Sequence, residues 1–153
     1  MGVPSDVQWQ QDIPIDAELY TGDVLNTGVL HVVLFCKSLD TVDIVTLGRK
    51  IRFHPLFHPQ GVNVDFATVD DKGEVIMRTY ERGVEDETLA CGTGATAVAL
   101  AAMHTKGLSA PLTIRSQLGY RFGVDCLPDG TALLTGHASC IYTGVIRIGM
   151  ESA

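Results

Sequence analysis

The run Thr88-Leu89-Ala90-Cys91-Gly92-Thr93-Gly94-Ala95-Thr96-Ala97-Val98-Ala99-Leu100-Ala101-Ala102-Met103-His104 decides the fold. From Ala95 to Met103 only Thr96 is not apolar. A helix apolar on every side must be enclosed by the rest of its domain. Ala and Leu are strong helix formers, and Gly107 after Lys106 suits a helix end. The pattern predicts a helix over about 93–105, roughly 20 Å long at ~1.5 Å per residue. Its N-terminus carries a cysteine, two glycines and two threonines, a polar and backbone-rich tip on an otherwise oily rod.

The text on either side of this helix reads mainly as strands. Val24–Gly28 is a short strand closed by a turn. Val29–Cys36 is apolar on both faces, so both faces are covered. Gly61–Val69 alternates, with Asn63, Asp65 and Ala67 on one face and Val62, Val64 and Phe66 on the other. Asp70–Gly73 is a turn, and 74–80 returns as the second arm of a hairpin. After Gly107 come strand runs at 112–117 and 120–127, the turn signal Asp129-Gly130, and further strands at 131–135 and 138–148. Residues 43–53 place Ile44, Leu47 and Ile51 at helical spacing with Arg49, Lys50 and Arg52 outward and late, which predicts an outer surface helix. The opening, Met1–Trp9, shows no period and reads as a lead-in; Asp12–Ile15 reads as an extended or turn piece. About seven strands meeting at tight turns favour α+β architecture: a mostly antiparallel sheet or barrel wrapped around one buried central helix, plus one outer helix.

Bulk properties narrow the function. A chain of 153 residues fits one domain with a real core. The formal net charge of −7 argues against a nucleic-acid or anionic-membrane partner, which needs clustered Lys and Arg. No apolar run reaches ~18 residues and no basic-then-apolar leader follows Met1, so the reading is a cytoplasmic protein without a membrane span. Cys36, Cys91, Cys126 and Cys140 are widely spaced with no C-x-x-C, which speaks against a zinc site or a disulfide scaffold. Cys36, Cys126 and Cys140 lie in apolar strand-like text, where cysteine is a small hydrophobe. His54 and His58 are four apart, but Pro55 and Pro59 break the helix that would align them and no third ligand lies near, so no metal is expected. His31, facing the same way as Val33 and Phe35, reads on its own as a packed histidine.

Cys91 differs from the other three. A thiol at a helix N-terminus sits at the positive end of the dipole, worth up to about 2 kcal/mol when partly buried. That would lower a pKa near 8.5 by roughly one to one and a half pH units, opposed by Glu85, Asp86 and Glu87 if they lie close. Cys91 is thus a candidate base or nucleophile near neutrality. The N–H groups of Gly92, Thr93 and Gly94 can hold a carboxylate beside it, an arrangement suited to proton abstraction next to a carboxylate. Gly92 to Ala97 also fits the G-x-G-x-x-A dinucleotide pattern. That pattern needs a strand directly before it and an acid about 20 residues later, and both are missing.

The run Glu81-Arg82-Gly83…Glu87-Thr88-Leu89-Ala90-Cys91-Gly92-Thr93-Gly94-Ala95 resembles the second active-site signature of diaminopimelate epimerases. Met1–Pro4, Asn26-Thr27-Gly28…His31, Leu47-Gly48…Ile51-Arg52…His54–Phe57 and Gly61-Val62-Asn63-Val64…Phe66 follow in family order. The resemblance implies one half of a diaminopimelate-epimerase-like fold and an isomerase that needs no pyridoxal phosphate or other cofactor. It would convert LL-diaminopimelate to the meso form, for lysine and peptidoglycan precursor synthesis, with two cysteines as opposed acid and base. Cys91 would be one of them. Gly92 and Thr93 match the carboxylate-binding positions, Asn63, Glu81 and Arg82 match residues holding the distal end of the amino-acid substrate, and His31 matches a histidine beside the pocket.

Two departures from the family pattern lie at the specificity end. Gly28-Val29-Leu30-His31 replaces the usual Gly-Asn-Pro-His, removing a hydrogen bond to the distal carboxylate worth about 1.5–3 kcal/mol. The 83–87 run is also one residue longer than usual. Both point to a substrate range widened towards other acidic amino acids such as glutamate. The resemblance covers the C-terminal domain of a two-domain family. The N-terminal domain and its cysteine are absent, so this polypeptide alone is expected to be inactive and to need that half, or self-association, as its partner. A reading of a different class is a non-catalytic domain that binds a small carboxylate or associates with itself.

Overall fold

The computed structural model of the chain describes residues 1–146. Among these, β1 (Ser5–Ile15), β2 (Glu18–Asn26) and β3 (Leu30–Phe35) lead into helix α1 (Ile44–Arg52) and a short 3₁₀ turn at Pro55–Phe57. β4 (Asn63–Val69), β5 (Val75–Glu81) and β6 (Asp86–Thr88) precede helix α2 (Gly92–Lys106), and β7 (Leu112–Ser116), β8 (Arg121–Cys126) and β9 (Ala132–Gly136) follow it. All nine strands form one sheet in the order β1-β2-β3-β4-β5-β7-β8-β9, with β6 paired to β5. The sheet is mostly antiparallel, and its two parallel pairings are β3 with β4 and β5 with β7. Each parallel step is bridged by one helix, because parallel neighbours need a long crossover.

The two helices lie on opposite faces. α1 starts at an N-cap where Asp43 Oδ1 accepts the Thr46 N–H at 3.0 Å. Its Ile44 and Ile51 join Ile13, Val32, Val64, Phe66 and Tyr80 in one core. α2 is enclosed as its composition predicts: every residue from Gly94 to Ala99 is buried, as are Ala101 and Ala102. It lies against β2 to β5 and β7 to β9, so the sheet curls around it. Thr96 is satisfied inside the helix by the Gly92 carbonyl at 3.0 Å, and Gly107 ends the helix with φ 69°. Val32 faces the α1 side and Val33 the α2 side, which explains the doubly apolar text of β3. No helix among the described residues is long and apolar enough to cross a membrane.

Three expectations are corrected. The opening is not a lead-in but the 11-residue strand β1. Its register shifts between Ser5 and Gln8 and again between Gln8 and Gln11, with positive φ at Asp6 and Gln10. Bulges of this kind destroy the two-residue alternation by which a strand is read. The second bulge is pinned by Asp23, whose Oδ1 accepts the Gln10 N–H at 2.9 Å while Oδ2 accepts the Thr105 hydroxyl at 2.7 Å. The polar run before α2 contains β6, three residues too short to show a period. Conversely, the strand expected at 138–148 does not form over 138–146, and 147–148 lie outside the described residues. Its Ile141, Tyr142, Val145 and Ile146 are 85–92% exposed, so this β-prone text has no neighbour here to pair with. Cys140 lies in the same exposed stretch, in no strand.

Candidate active site

The parallel register of β3 and β4 sets His31 beside Asn63, and the antiparallel register of β4 and β5 sets Asp65 opposite Thr79. Alternation turns all four towards the N-terminus of α2. Cys91 is the N-cap of that helix, 8% exposed, with extended backbone. Its Sγ accepts the Gly94 N–H at 3.4 Å and lies 3.4 Å from Thr93 Oγ1. The Cys91 carbonyl takes the Ala95 N–H. Among the described residues the N–H groups of Gly92 and Thr93 have no acceptor, so two of the helix's orphan donors stay open beside the thiol. From the β2–β3 turn, Thr27 Oγ1 donates to the Thr93 carbonyl at 2.9 Å and fixes the first turn of α2.

Behind the thiol lies a buried polar group. His31 and Asp65 are fully buried, with Nδ1 of the ring 2.7 Å from Asp65 Oδ2. The other carboxylate oxygen accepts the Thr79 hydroxyl at 2.7 Å. His31 Nε2 lies 3.0 Å from Thr93 Oγ1 and 3.5 Å from Asn63 Nδ2. Asn63 Oδ1 accepts the Arg82 backbone N–H at 2.7 Å. His31 is buried with partners at both ring nitrogens, as a packed histidine is, and it also lies one contact from the sulfur, through Thr93 Oγ1.

The expected fall in the Cys91 pKa is not found. Burial pushes the thiol up, and the negative charge of Asp65 adds to it; the Thr93 hydroxyl and Gly94 N–H pull the other way but do not prevail, and Glu81 adds a smaller upward push. The opposing acids are thus Asp65 and Glu81, not the 85–87 run. Cys91 rests as a thiol.

The family model of diaminopimelate epimerase matches residues 24–141. The chain belongs to the diaminopimelate epimerase family. It is 44% identical to the diaminopimelate epimerase of Archaeoglobus fulgidus over 141 residues, covering 92% of this chain and 48% of that protein. It is 39% identical to that of Aquifex aeolicus over 138 residues, covering 88% and 49%. The chain spans about half the length of the curated relatives it matches. Its fold is also that of a solved hydroxyproline epimerase from Agrobacterium vitis, at TM-score 0.66 and 23% identity, covering 87% of this chain and 47% of that one.

Of the residues singled out from the epimerase pattern, the structure brings together Cys91, Gly92, Thr93, His31 and Asn63. Glu81, half-buried at the end of β5, is near enough for its charge to act on the thiol. The Arg82 side chain points elsewhere: its Nη1 donates to the Gln60 carbonyl at 3.3 Å, and with Val29, Asn26 and Leu30 it lines a cleft of about 500 Å³. Cys91 opens on a separate cleft of about 350 Å³ with Thr79, Thr88 and Gln117. The turn between β5 and β6 is held by Glu85, which has φ 60°. Its Oε1 accepts the Gly83 N–H at 3.0 Å and pairs with Arg52 of α1, also at 3.0 Å. His54 and His58 each direct Nε2 at a backbone carbonyl, of Pro14 and Phe53. Sequence reasoning passed over Asp65 and Thr79. The available signal was a carboxylate on the inward face of a strand otherwise covered on both sides, which demands a buried partner.

Proposed function

We propose that this chain is the Cys91-bearing half of a cofactor-independent amino-acid epimerase that interconverts LL- and meso-diaminopimelate. The observation that carries this reading is the tip of α2, where a buried thiol and two open N–H groups sit side by side. The Gly92 and Thr93 N–H groups hold the substrate α-carboxylate. With the positive end of the helix behind them, they stabilise the negative charge that spreads onto it as the α-proton leaves. Cys91, a thiol at rest, delivers a proton to one face of Cα. A second cysteine, supplied by the N-terminal half of the family architecture, removes the proton from the opposite face. Asn63 and Glu81 serve the distal end of the substrate, Arg82 joins them by turning from the Gln60 carbonyl, His31 stands behind the thiol, and Val29 widens the range towards other acidic amino acids.

The site is half of a complete one, and the 153 residues alone do not epimerise. The exposed Ile141, Tyr142, Val145 and Ile146 support a partner that covers them; the same residues favour a second reading, a self-associating carboxylate-binding domain. Incubating LL-diaminopimelate in D₂O with the chain alone, and with the chain plus an N-terminal half from the family, separates the two. Inversion with deuterium at Cα only in the pair, abolished by Cys91→Ala, is the expected result. Inversion by the isolated chain would overturn the half-site reading. None with the pair would leave the binding domain. Racemisation of glutamate beside diaminopimelate by the active pair tests the role of Val29, and strict diaminopimelate specificity refutes it.

A further inference from the structure

Asp65 plays no part in the mechanism given above, yet it is fully buried. A carboxylate with no exposure is costly unless both oxygens are partnered, and both are, by His31 Nδ1 and the Thr79 hydroxyl. A carboxylate only accepts, so the His31 Nδ1 facing it carries a hydrogen. An imidazole whose one ring hydrogen sits on Nδ1 has Nε2 left as an acceptor. An independent observation agrees: Asn63 Oδ1 is committed to the Arg82 N–H, so the group Asn63 turns towards Nε2 is its NH₂. The Thr93 hydroxyl, 3.0 Å from the same nitrogen, donates to it as well. Having given its hydrogen there, Thr93 Oγ1 presents only lone pairs to Cys91, 3.4 Å away, and the thiol hydrogen points at it.

We propose that Asp65 is a positioning residue which, by holding His31 in the Nδ1–H form, directs a proton path from Cys91 through the Thr93 hydroxyl to His31 Nε2. Along this path the Cys91 S–H bond breaks as a new O–H bond forms on Thr93. The original Thr93 hydrogen passes to Nε2, nothing is oxidised or reduced, and the ring's positive charge faces Asp65. The path runs opposite to what charge alone dictates. Asp65 as a bare charge opposes a thiolate at Cys91, as does Glu81; Asp65 as the anchor of His31 promotes one.

The proposal rests on Cys91 being the acid–base group proposed above, but its test needs no turnover. In ¹⁵N–¹H spectra of the wild-type chain, with His31 assigned by its loss in His31→Gln, the neutral ring is expected to be protonated at Nδ1; a ring protonated at Nε2 overturns the proposal. Iodoacetamide alkylation of Cys91 at neutral pH, read by peptide mass spectrometry, is expected to slow about tenfold in Asp65→Asn. It is expected to slow likewise in Thr93→Val and to be restored in Thr93→Ser. An Asp65→Asn rate equal to or above wild type is the outcome of charge alone and overturns the path. If these readouts hold while the paired halves fail to invert substrate, it is the proposed function that falls.

Discussion

Gly94→Ala tests the seating of the buried carboxylate against α2. An ideal Cβ at residue 94 would fall 2.5 Å from Asp65 Oδ1 and 3.3 Å from both Asp65 Cγ and Cys91 Cβ, where ordinary contact begins at 3.4 Å. The oxygen must therefore retreat by nearly an ångström. It is not the free end of a flexible side chain, because the carboxylate is tied at 2.7 Å to both His31 and Thr79. Giving up one hydrogen bond to a charged group costs about 1.5–3 kcal/mol. Alanine's helix preference returns at most about 1 kcal/mol, and less in a first turn. The net loss is about 1.5 kcal/mol, or roughly 3–6 °C in Tm for a chain of this size. Urea and thermal unfolding of Gly94→Ala, of Asp65→Ala and of the double variant measure it. In the Asp65→Ala background the methyl meets only Cys91 Cβ at 3.3 Å, a tenth of an ångström inside ordinary contact, and most of its cost should vanish. A Gly94→Ala variant as stable as wild type, or an equal loss with and without Asp65, would refute the reasoning.

Other expectations follow from the same geometry. Gly48→Ala, in the middle of α1, would place a Cβ 2.5 Å from Tyr80 Cβ and 2.7 Å from its Cγ. It should destabilise the chain by about 1–3 kcal/mol in denaturant melts despite alanine's better helix propensity. Glu85→Gln should lower stability at pH 7 by about 0.5–1 kcal/mol. Burial pushes the Glu85 carboxyl up, but the Gly83 N–H and Arg52 outweigh it and leave it below its usual 4.5. A lowered carboxyl contributes stability above its unfolded pKa and loses it as pH falls through the folded one. The wild-type advantage over Glu85→Gln should therefore shrink below about pH 4.5 in melts recorded across pH. Cys91→Ser should raise the melting temperature slightly, by up to about 1 kcal/mol in stability, since a hydroxyl oxygen caps a helix better than sulfur.

The parts of the fold legible in the sequence were those whose signal is local. The enclosed helix showed in residues 95–103, its end in Gly107, the outer helix in Ile44, Leu47 and Ile51, and the 63–81 hairpin in its alternation around Asp70–Gly73. β1 was hidden because bulges at Asp6 and Gln10 break the period that would reveal it. The 138–146 text misled for the converse reason: strand propensity expresses itself only against a neighbour, and this stretch has none among the described residues. At the site, Cys91 and its open N–H groups follow from one contiguous run. The link to Asp65 does not, because it joins three elements, with His31 34 residues from Asp65 and 62 from Thr93. The direction of the Cys91 shift was misjudged for the same reason. The dipole is written in the helix itself, whereas the burial and the Asp65 charge that outweigh it come from strands far away in the chain.

The cap of α2 bears on how this protein can change over generations. Serine is a single-base substitution from cysteine, keeps the size of the side chain and caps the helix better. If Cys91→Ser is more stable as expected, position 91 is occupied, for folding alone, by the inferior of two neighbouring residues in the genetic code. A lineage released from any need for the thiol would drift to serine at a gain in stability. If the thiol is kept for the proton transfer proposed above, close descendants of this chain should hold cysteine at position 91 against that gain, and serine among them would show that the need for the thiol has lapsed.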